Sequence, residues 1–421
     1  MIEKEGANVR QHNLIRSVAY DLLKSNSSVW EEAERQAADL WLNDYEPKAD
    51  ASNLEKVRGH LEAFEHYFVV KDWNKANELL SIQLETGKSL YMQLSTWSYF
   101  QELISLHSRS LLLAREFGDR FGEAVNLGSL GNAHHNLGNY QLAIDCHQKH
   151  LKIVQELNNL QSEASALGNL GNGYKVLGQY EQALNCYQQS LEIAQETGNR
   201  RREAYNLGNL GNIHYDLGQY EQALNCYQLC LSISQEISDR RSEGMALSQS
   251  GNVYIELGNY KRARRCHQEH LTISQEVGDR LGEGVALGNL GITYERQGKY
   301  TQAAEYAQQH INIAREIKDK RGEGSGLREL GVALLKQLST SDANKVLEYF
   351  QSALSIFQKI GIRREEAETL KNLAELYKAL NQIETARRYA YSALNLAEEL
   401  KLFLQTECKL LIAELNNDDK L

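Results

Sequence analysis

Residues 166–199 read ALGNLGNGYKVLGQYEQALNCYQQSLEIAQETGN, and residues 206–239 read NLGNLGNIHYDLGQYEQALNCYQLCLSISQEISD in the same frame, 40 residues later. The frame also begins at Asn126, recurs at 246 and 286, and returns with variations at 326. Glycine, tyrosine and alanine mark the period at Gly131, Gly171, Gly211, Gly251, Gly291 and Gly331, at Tyr140, Tyr180, Tyr220, Tyr260 and Tyr300, and at Ala143, Ala183, Ala223, Ala263 and Ala303. A fixed period of this length indicates a repeat array rather than two or three separate globular domains.

Each repeat is predicted to be a pair of antiparallel α-helices. In the repeat at 203–242 the first helix is predicted at 201–215 and the second at 220–236, with Gly218 as the left-handed residue after the first helix. An Asp or Asn precedes each first helix, where its side chain can cap free backbone N–H groups. These residues are Asp119, Asn159, Asn199, Asp239, Asp279 and Asp319. The predicted fold class is therefore all-α, an α-solenoid of helical hairpins.

Composition narrows the class of protein further. Pro47 is the only proline in 421 residues, whereas average usage of about 5% would give roughly twenty. Turns in this chain must therefore be made with glycine. The net charge of −10 disfavours nucleic-acid binding, which needs a basic face. The polar start MIEKEGANVRQHN and the lack of any apolar run long enough to cross a bilayer predict a cytoplasmic protein without a signal peptide or a membrane span.

The repeat signal weakens toward both ends of the chain. We predict an N-terminal helical segment at 1–45, degenerate helical hairpins at 46–122, an array of about seven repeats at 123–400, and a capping helix with a tail at 401–421. All four tryptophans lie before residue 122, which indicates a different packing unit there. Such arrays need a capping element whose outer face is polar.

The array resembles tetratricopeptide (TPR) repeats in which the usual unit of about 34 residues is lengthened by about six. Its motif LGNLGNxxxxxGxYxxAxxxxxxxLxIAxExGDRxGE is similar to the TPR arrays of Pins-type spindle-orientation adaptors and, less closely, of kinesin light chains. The resemblance implies a right-handed superhelix whose concave face captures an extended partner peptide. Proline often closes the shorter TPR unit, and here Gln155, Gln195, Gln235, Gln275 and Arg315 occupy that position, so the second helix is expected to continue.

The N-terminal quarter carries a second resemblance. Its aromatic pattern, which includes NLEKVRGHLEAFEHYFVVKDWNKANELL at 53–80, looks like the segment that leads into the TPR sensor arm of bacterial, especially cyanobacterial, STAND-type signalling NTPases. That likeness implies a sensor or autoinhibitory arm that acts in cis or in trans on an NTPase.

Polar residues on the first helices are the candidate peptide-binding residues. An asparagine recurs at the same repeat position, and its amide can both donate to and accept from a peptide backbone. The row comprises Asn132, Asn172, Asn212 and Asn252, with Ile292 and Val332 at the next two positions; a second row comprises Asn169, Asn209 and Asn289. Further along the same face are His135, Asn136, Lys175, Tyr215, Asp216 and Arg296. The alternative is that the asparagines bond neighbouring backbone or tune the packing between repeats.

Mid-helix glycines at 128, 168, 208 and 288 are also unusual, because each costs about 1 kcal/mol relative to alanine. Their recurrence indicates close approach, either of a neighbouring helix or of a ligand chain.

No catalytic, metal or cofactor site is predicted. Cys146, Cys186, Cys226 and Cys266 share one repeat position, and since packed helices are about 8–10 Å apart, these thiols are too distant for disulfides. Together with Cys230 and Cys408, they are expected to be free and buried. Gly87-Lys88-Ser89 resembles the end of a phosphate-binding loop, but Ile82 stands where its first glycine would be required.

The sequence thus predicts a non-enzymatic scaffold or adaptor that binds a protein or peptide in the groove of the array. The alternatives are the STAND-type sensor arm and self-association through the ends of the solenoid.

Overall fold

The computed structural model describes residues 24–84, 86–337, 343–400, 402 and 404–418. Within these ranges the chain forms α-helices and no β-strand, which confirms the all-α class. It folds into two compact units, residues 1–193 and residues 194–421. The helices before the array are Ser27–Asn43, Asn53–Lys56, Arg58–Val69, Trp73–Ser81, Leu90–Thr96 and Phe100–Glu116.

Seven helical hairpins follow in the described ranges, and we number them 1 to 7. Their first helices are Arg120–Asn136, Leu160–Val176, Arg200–Asp216, Arg240–Glu256, Arg280–Arg296, Lys320–Leu335 and Arg363–Ala379. Their second helices are Tyr140–Glu156, Tyr180–Glu196, Tyr220–Glu236, Tyr260–Glu276, Tyr300–Glu316, Ala343–Ile360 and Ile383–Glu399. In hairpins 1 to 5 each helix has 17 residues, so two helices and two short turns account for the period of the sequence.

The turn inside hairpin 3 shows how glycine ends the first helix. Gly218 has φ +72°, its N–H donates to the carbonyl oxygen of Tyr215 at 2.9 Å, and the N–H of Gln219 donates to that of His214 at 2.8 Å. This pair of bonds is a Schellman motif, which satisfies carbonyls that the helix end would leave unpaired. The glycine prediction is confirmed at this turn.

Side-chain caps begin most of the first helices. The side-chain oxygens of Asp119, Asn159, Asn199, Asp239 and Asp279 accept from the backbone N–H three residues later, at 2.8–3.2 Å. Asp319 was expected to do the same and does not. Its ψ of 97° is more extended than the 79–86° of the other five residues.

At the position where a shorter TPR unit often has proline, side chains of this protein hydrogen-bond to a glutamate of the next hairpin. Gln155 donates to Glu163 at 2.8 Å, Gln235 to Glu243 at 3.0 Å and Gln275 to Glu283 at 3.2 Å. Arg315 forms the equivalent bond to Glu323 at 2.8 Å. The second helix does continue through this position, as expected.

Aromatic rings of the second helices pack flat against glycines of the first. A Cβ added to Gly211 would lie 2.5 Å from Cε1 of Tyr227, and one added to Gly171 would lie 2.7 Å from Cε1 of Tyr187. Both tyrosines are buried. The periodic glycine therefore makes room for a ring of the second helix.

The last described helix, Leu404–Asp418, packs on the end of the array. Leu411, Ile412 and Leu415 are buried against Ala386 and Ala390 of hairpin 7. Residues 1–23 of the predicted N-terminal segment, and residues 401, 403 and 419–421 of the predicted cap and tail, lie outside the described residues.

Candidate functional site

In the unit formed by residues 1–193, the predicted asparagine row has two members with different surroundings. Asn132 is exposed, and its backbone oxygen accepts from the side-chain amide of Asn136 at 2.8 Å. Asn172 is half-buried, and its Oδ1 accepts from the hydroxyl of Tyr187 at 2.6 Å. The oxygen of Asn172 therefore satisfies the one polar atom of a buried ring.

In the unit formed by residues 194–421, the row becomes a hydrogen-bonded chain across two hairpins. Oδ1 of Asn212 accepts from the Tyr227 hydroxyl at 2.8 Å and from Nε2 of Gln249 at 3.0 Å. Oε1 of Gln249 in turn accepts from Nδ2 of Asn252 at 3.1 Å. Asn212, Gln249 and Asn252 thus form one hydrogen-bonded row, which we call the polar strip. Both bonds to the oxygen of Asn212 come from donors within the protein.

Within the described ranges, Asn289 is the member of the second row that bonds to another hairpin, and it so extends the polar strip to hairpin 5. Nδ2 of Asn289 donates to Oγ of Ser248 at 3.0 Å, which joins hairpins 4 and 5. Nδ2 of Asn209 donates to the backbone oxygen of Tyr205 at 3.1 Å, and Asn169 is half-buried. Gln249 occupies the same repeat position as Asn209 and Asn289 and was not among the predicted site residues. The 40-residue period alone was enough to find it.

Aromatic and charged residues follow at the ends of the first helices. The ring of His135 lies 5.3 Å from that of Tyr140, and the ring of Tyr215 lies 5.9 Å from that of Tyr220. Burial, followed by the nearby charge of Glu256, raises the pKa of Tyr215 to about 12, and Arg296 opposes this rise. Tyr215, Glu256 and Arg296 therefore meet within electrostatic range, and the phenol is a hydrogen-bond donor at neutral pH. Lys175 is half-buried, whereas Asn136, Asp216 and Arg296 are exposed.

The mid-helix glycines face side chains of their own second helices. A Cβ at Gly128 would lie 3.0 Å from Nδ1 of His150, and one at Gly288 would lie 2.8 Å from Nδ1 of His310. At Gly208 the nearest such atom is Sγ of Cys230, at 3.8 Å. These three glycines therefore support close approach of a neighbouring helix rather than of a ligand chain.

The cysteines are free; three are buried as expected, whereas Cys146, Cys226 and Cys266 are only half-buried. Burial raises the pKa of the Cys186 and Cys266 thiols to about 11, so both are protonated at neutral pH. Among the described residues, no three His, Cys, Asp or Glu side chains cluster in a way that could hold a metal ion. No helix in the described ranges has both the length and the apolar character needed to span a bilayer.

Comparison with family models gives the array its name. Residues 127–161, 162–236 and 242–316 match models described as tetratricopeptide repeat. The chain carries tetratricopeptide repeats. Such TPR arrays are typical of protein-interaction scaffolds.

Solved structures share the fold of this TPR chain at low sequence identity. A Rap protein complexed with Competence and Sporulation Factor is 19% identical with a TM-score of 0.56, over 93% of this chain and 96% of that one. The Rap conjugation gene regulator of plasmid pLS20, in complex with the Phr* peptide, is 14% identical with a TM-score of 0.57, over 82% and 96%.

A third similar structure is a STAND protein with a TPR sensor from Pyrococcus horikoshii. It is 16% identical with a TM-score of 0.56, and the match covers 90% of this chain and 55% of that one. No match is found among curated proteins.

Proposed function

We propose that this TPR chain is an interaction scaffold that binds an extended segment of a partner protein along its first helices. The observation that carries the proposal is the polar strip of hairpins 3 to 5. Within the described part of the chain, Nδ2 of Asn212 and Oδ1 of both Asn252 and Asn289 have no protein partner.

These three groups match what an extended peptide offers. A peptide backbone alternates N–H donors with C=O acceptors, and the strip presents one donor and two acceptors from successive hairpins. The bonds through Gln249 and Ser248 hold the amides in place before a ligand arrives, which lowers the entropy lost on binding. The peptide complex of the pLS20 regulator supports this use of a similar fold.

Site-specific photo-cross-linking tests the proposal. A photoreactive residue at Asn252 of the full chain should cross-link a protein in the source cells, whereas the same residue at Ser232 should not. Ser232 is the control because it is exposed on a second helix of the same unit. Equal labelling from both positions, or none from Asn252, would contradict a site on the first helices.

With the cross-linked partner in hand, N252V/N289A should weaken binding by about 1–3 kcal/mol, since each amide contributes about 0.5–1.5 kcal/mol. Valine is already present at this repeat position in hairpin 6, as Val332, so helix content by circular dichroism should not change. The pair N172A/N212A is a less specific probe, because it also removes the acceptors of the buried Tyr187 and Tyr227 hydroxyls. Unchanged affinity of N252V/N289A would reject the amide strip.

A second candidate function is the sensor arm of a STAND-type NTPase, favoured by the match to the sensor-bearing protein over 90% of this chain. The test is to add the purified chain to an NTPase encoded beside it or fused to it. A change in nucleotide hydrolysis supports the sensor, and an unchanged rate supports an independent scaffold.

A further inference from the structure

One second helix of the array carries a cluster of cations that its neighbours lack. Hairpin 4 has Lys261, Arg262, Arg264 and Arg265 in the first six residues of its second helix. The same four repeat positions hold Glu221, Gln222, Leu224 and Asn225 in hairpin 3, and Thr301, Gln302, Ala304 and Glu305 in hairpin 5. The change from acidic or neutral to basic is confined to hairpin 4 among these three.

The four cations line a crevice of about 640 Å³ between hairpins 4 and 5. Leu290 and Tyr294 of the next first helix form its other wall. The guanidinium of Arg264 lies 5.6 Å from the centre of the Tyr294 ring, and Nζ of Lys299 lies 5.8 Å from the same centre. The guanidinium of Arg262 lies 5.5 Å from the centre of the Tyr254 ring. Such cation–π contacts hold the charged groups in place.

Most of this positive charge is not neutralised by the protein. Arg265 forms an ion pair with Glu269 at 2.8 Å. Within the described ranges, Lys261, Arg262 and Arg264 form no ion pair with a carboxylate. Their placement also opposes the helix dipole, which favours acidic residues in the first turn, such as Glu181 and Glu221 of hairpins 2 and 3. Helix stability therefore does not explain the cluster.

The next repeat provides an internal comparison. An equivalent crevice of about 540 Å³ lies between hairpins 5 and 6, and Thr301, Ala304, Glu305 and Leu334 contribute to its lining. The crevice is thus a feature that these repeats share, whereas its basic lining belongs to the one between hairpins 4 and 5. We call that one the basic crevice.

We propose that the basic crevice binds an acidic, Asp/Glu-rich segment of a partner protein. Arginine forks pair with carboxylates through two parallel hydrogen bonds, and the half-buried ring of Tyr294 offers apolar contact to the rest of the segment. A nucleic acid fits less well, because the cations cover about a turn and a half of helix in a protein of net charge −10. The helices of the crevice also carry carboxylates, among them Glu269, which pairs with Arg265, and Glu295, which lies on the helix of Tyr294.

The basic crevice is separate from the polar strip of hairpins 3 to 5. At about 100° per residue, Tyr294 lies about 140° around its helix from Asn289, the residue of the strip in hairpin 5. The two proposals can therefore fail independently.

Fluorescence anisotropy with defined probes tests the basic crevice on the full chain. The probe is a labelled peptide of eight glutamates, compared with an eight-nucleotide oligothymidylate. R262Q/R264L should weaken binding of the glutamate peptide at least tenfold, and the fold should persist because Gln222 and Leu224 occupy these positions in hairpin 3. K149Q/K152Q is the matched control, since it removes two exposed positive charges from the second helix of hairpin 1.

A tenfold loss in R262Q/R264L together with an unchanged K149Q/K152Q supports the proposal. The conservative pair R262K/R264K should fall between the wild type and R262Q/R264L, because it keeps the charge and loses the forks. If R262Q/R264L and K149Q/K152Q lost the same amount of affinity for the glutamate peptide, binding would reflect general charge attraction, and that would overturn the proposal. So would oligothymidylate binding as tight as that of the glutamate peptide, or no measurable binding of the peptide to the wild type.

Discussion

Acidification from pH 7 to pH 5 is expected to destabilise the hairpin-4 region by about 2 kcal/mol through His267 alone. The ring of His267 is fully buried against Gly251, and neither of its nitrogens has a hydrogen-bond partner within the described part of the chain. Burial, with a smaller contribution from His270, lowers the pKa of His267 to about 3. In the unfolded chain the imidazole of His267 is protonated near pH 6.5, whereas in the folded chain it stays neutral until a much lower pH.

The sign of this effect follows from the direction of the shift. Because the folded pKa lies below the unfolded one, the contribution of His267 to stability is fully present above about pH 6.5 and is lost as the pH falls toward 3. His147 in hairpin 1 behaves in the same way, since burial and then His150 lower its pKa to about 4. His310 opposes them, because its bond to Glu329 at 3.2 Å raises its pKa despite burial.

The chain itself supplies the variant that tests this prediction. Tyr187 and Tyr227 occupy the position of His267 in hairpins 2 and 3, and their hydroxyls bond to Asn172 and Asn212. H267Y should therefore fold and find Asn252 as its acceptor. Between pH 7 and pH 5 it should lose about 2 kcal/mol less stability than the wild type, because it lacks the buried imidazole. Urea denaturation followed by circular dichroism at both pH values measures the difference.

The control is H214N, which changes a histidine that has a side-chain partner, Gln219, at the surface. It should keep the acid sensitivity of the wild type. An H267Y protein with the wild-type pH dependence would refute the assignment to His267.

Gly211→Ala and Gly291→Ala should move stability in opposite directions, although both glycines occupy the same repeat position. At Gly211 the new methyl group would lie 2.5 Å from the Tyr227 ring, which is 2% exposed and has no room to withdraw. We expect a loss of about 1–3 kcal/mol, as in other overpacked cores. At Gly291 the residue opposite is Ala307, and the nearest atom, the backbone oxygen of Ala303, lies 3.4 Å away. There the higher helix propensity of alanine should add up to about 1 kcal/mol.

Urea denaturation of the two single variants under identical conditions decides the point. A double-mutant cycle with Y227A extends it, because the extra methyl at position 211 should cost nothing once the ring is gone. If both alanine variants were destabilised equally, the glycine would serve a requirement of the backbone rather than make room for the ring.

Much of the fold was predictable because its signals are local. The Schellman glycine at Gly218 and the cap at Asn199 each depend on residues within about one turn of the affected backbone, so they locate helix ends closely. The structure begins the first helix of hairpin 3 at Arg200 and ends its second at Glu236, against predictions of 201 and 236.

The candidate site was only partly predictable. The amide row was found from its period, but its use depends on partners distant in sequence. Tyr227 lies 15 residues from Asn212, and Gln249 lies 37 residues from it. The sequence predicts an amide at position 212, but it does not predict which atoms of that amide hydrogen-bond within the protein.

The sequence by itself determined the all-α repeat architecture. Helices, caps and turns satisfy backbone hydrogen bonds through residues that are close in sequence, so the local sequence is enough to predict them. Only the tertiary structure decided which glycine faces a ring, which amide groups remain for a ligand, and where the cations of hairpin 4 meet Tyr294 of hairpin 5. Each of these depends on side chains from different helices meeting in space, and an identical repeat position can meet a tyrosine, a histidine or an alanine.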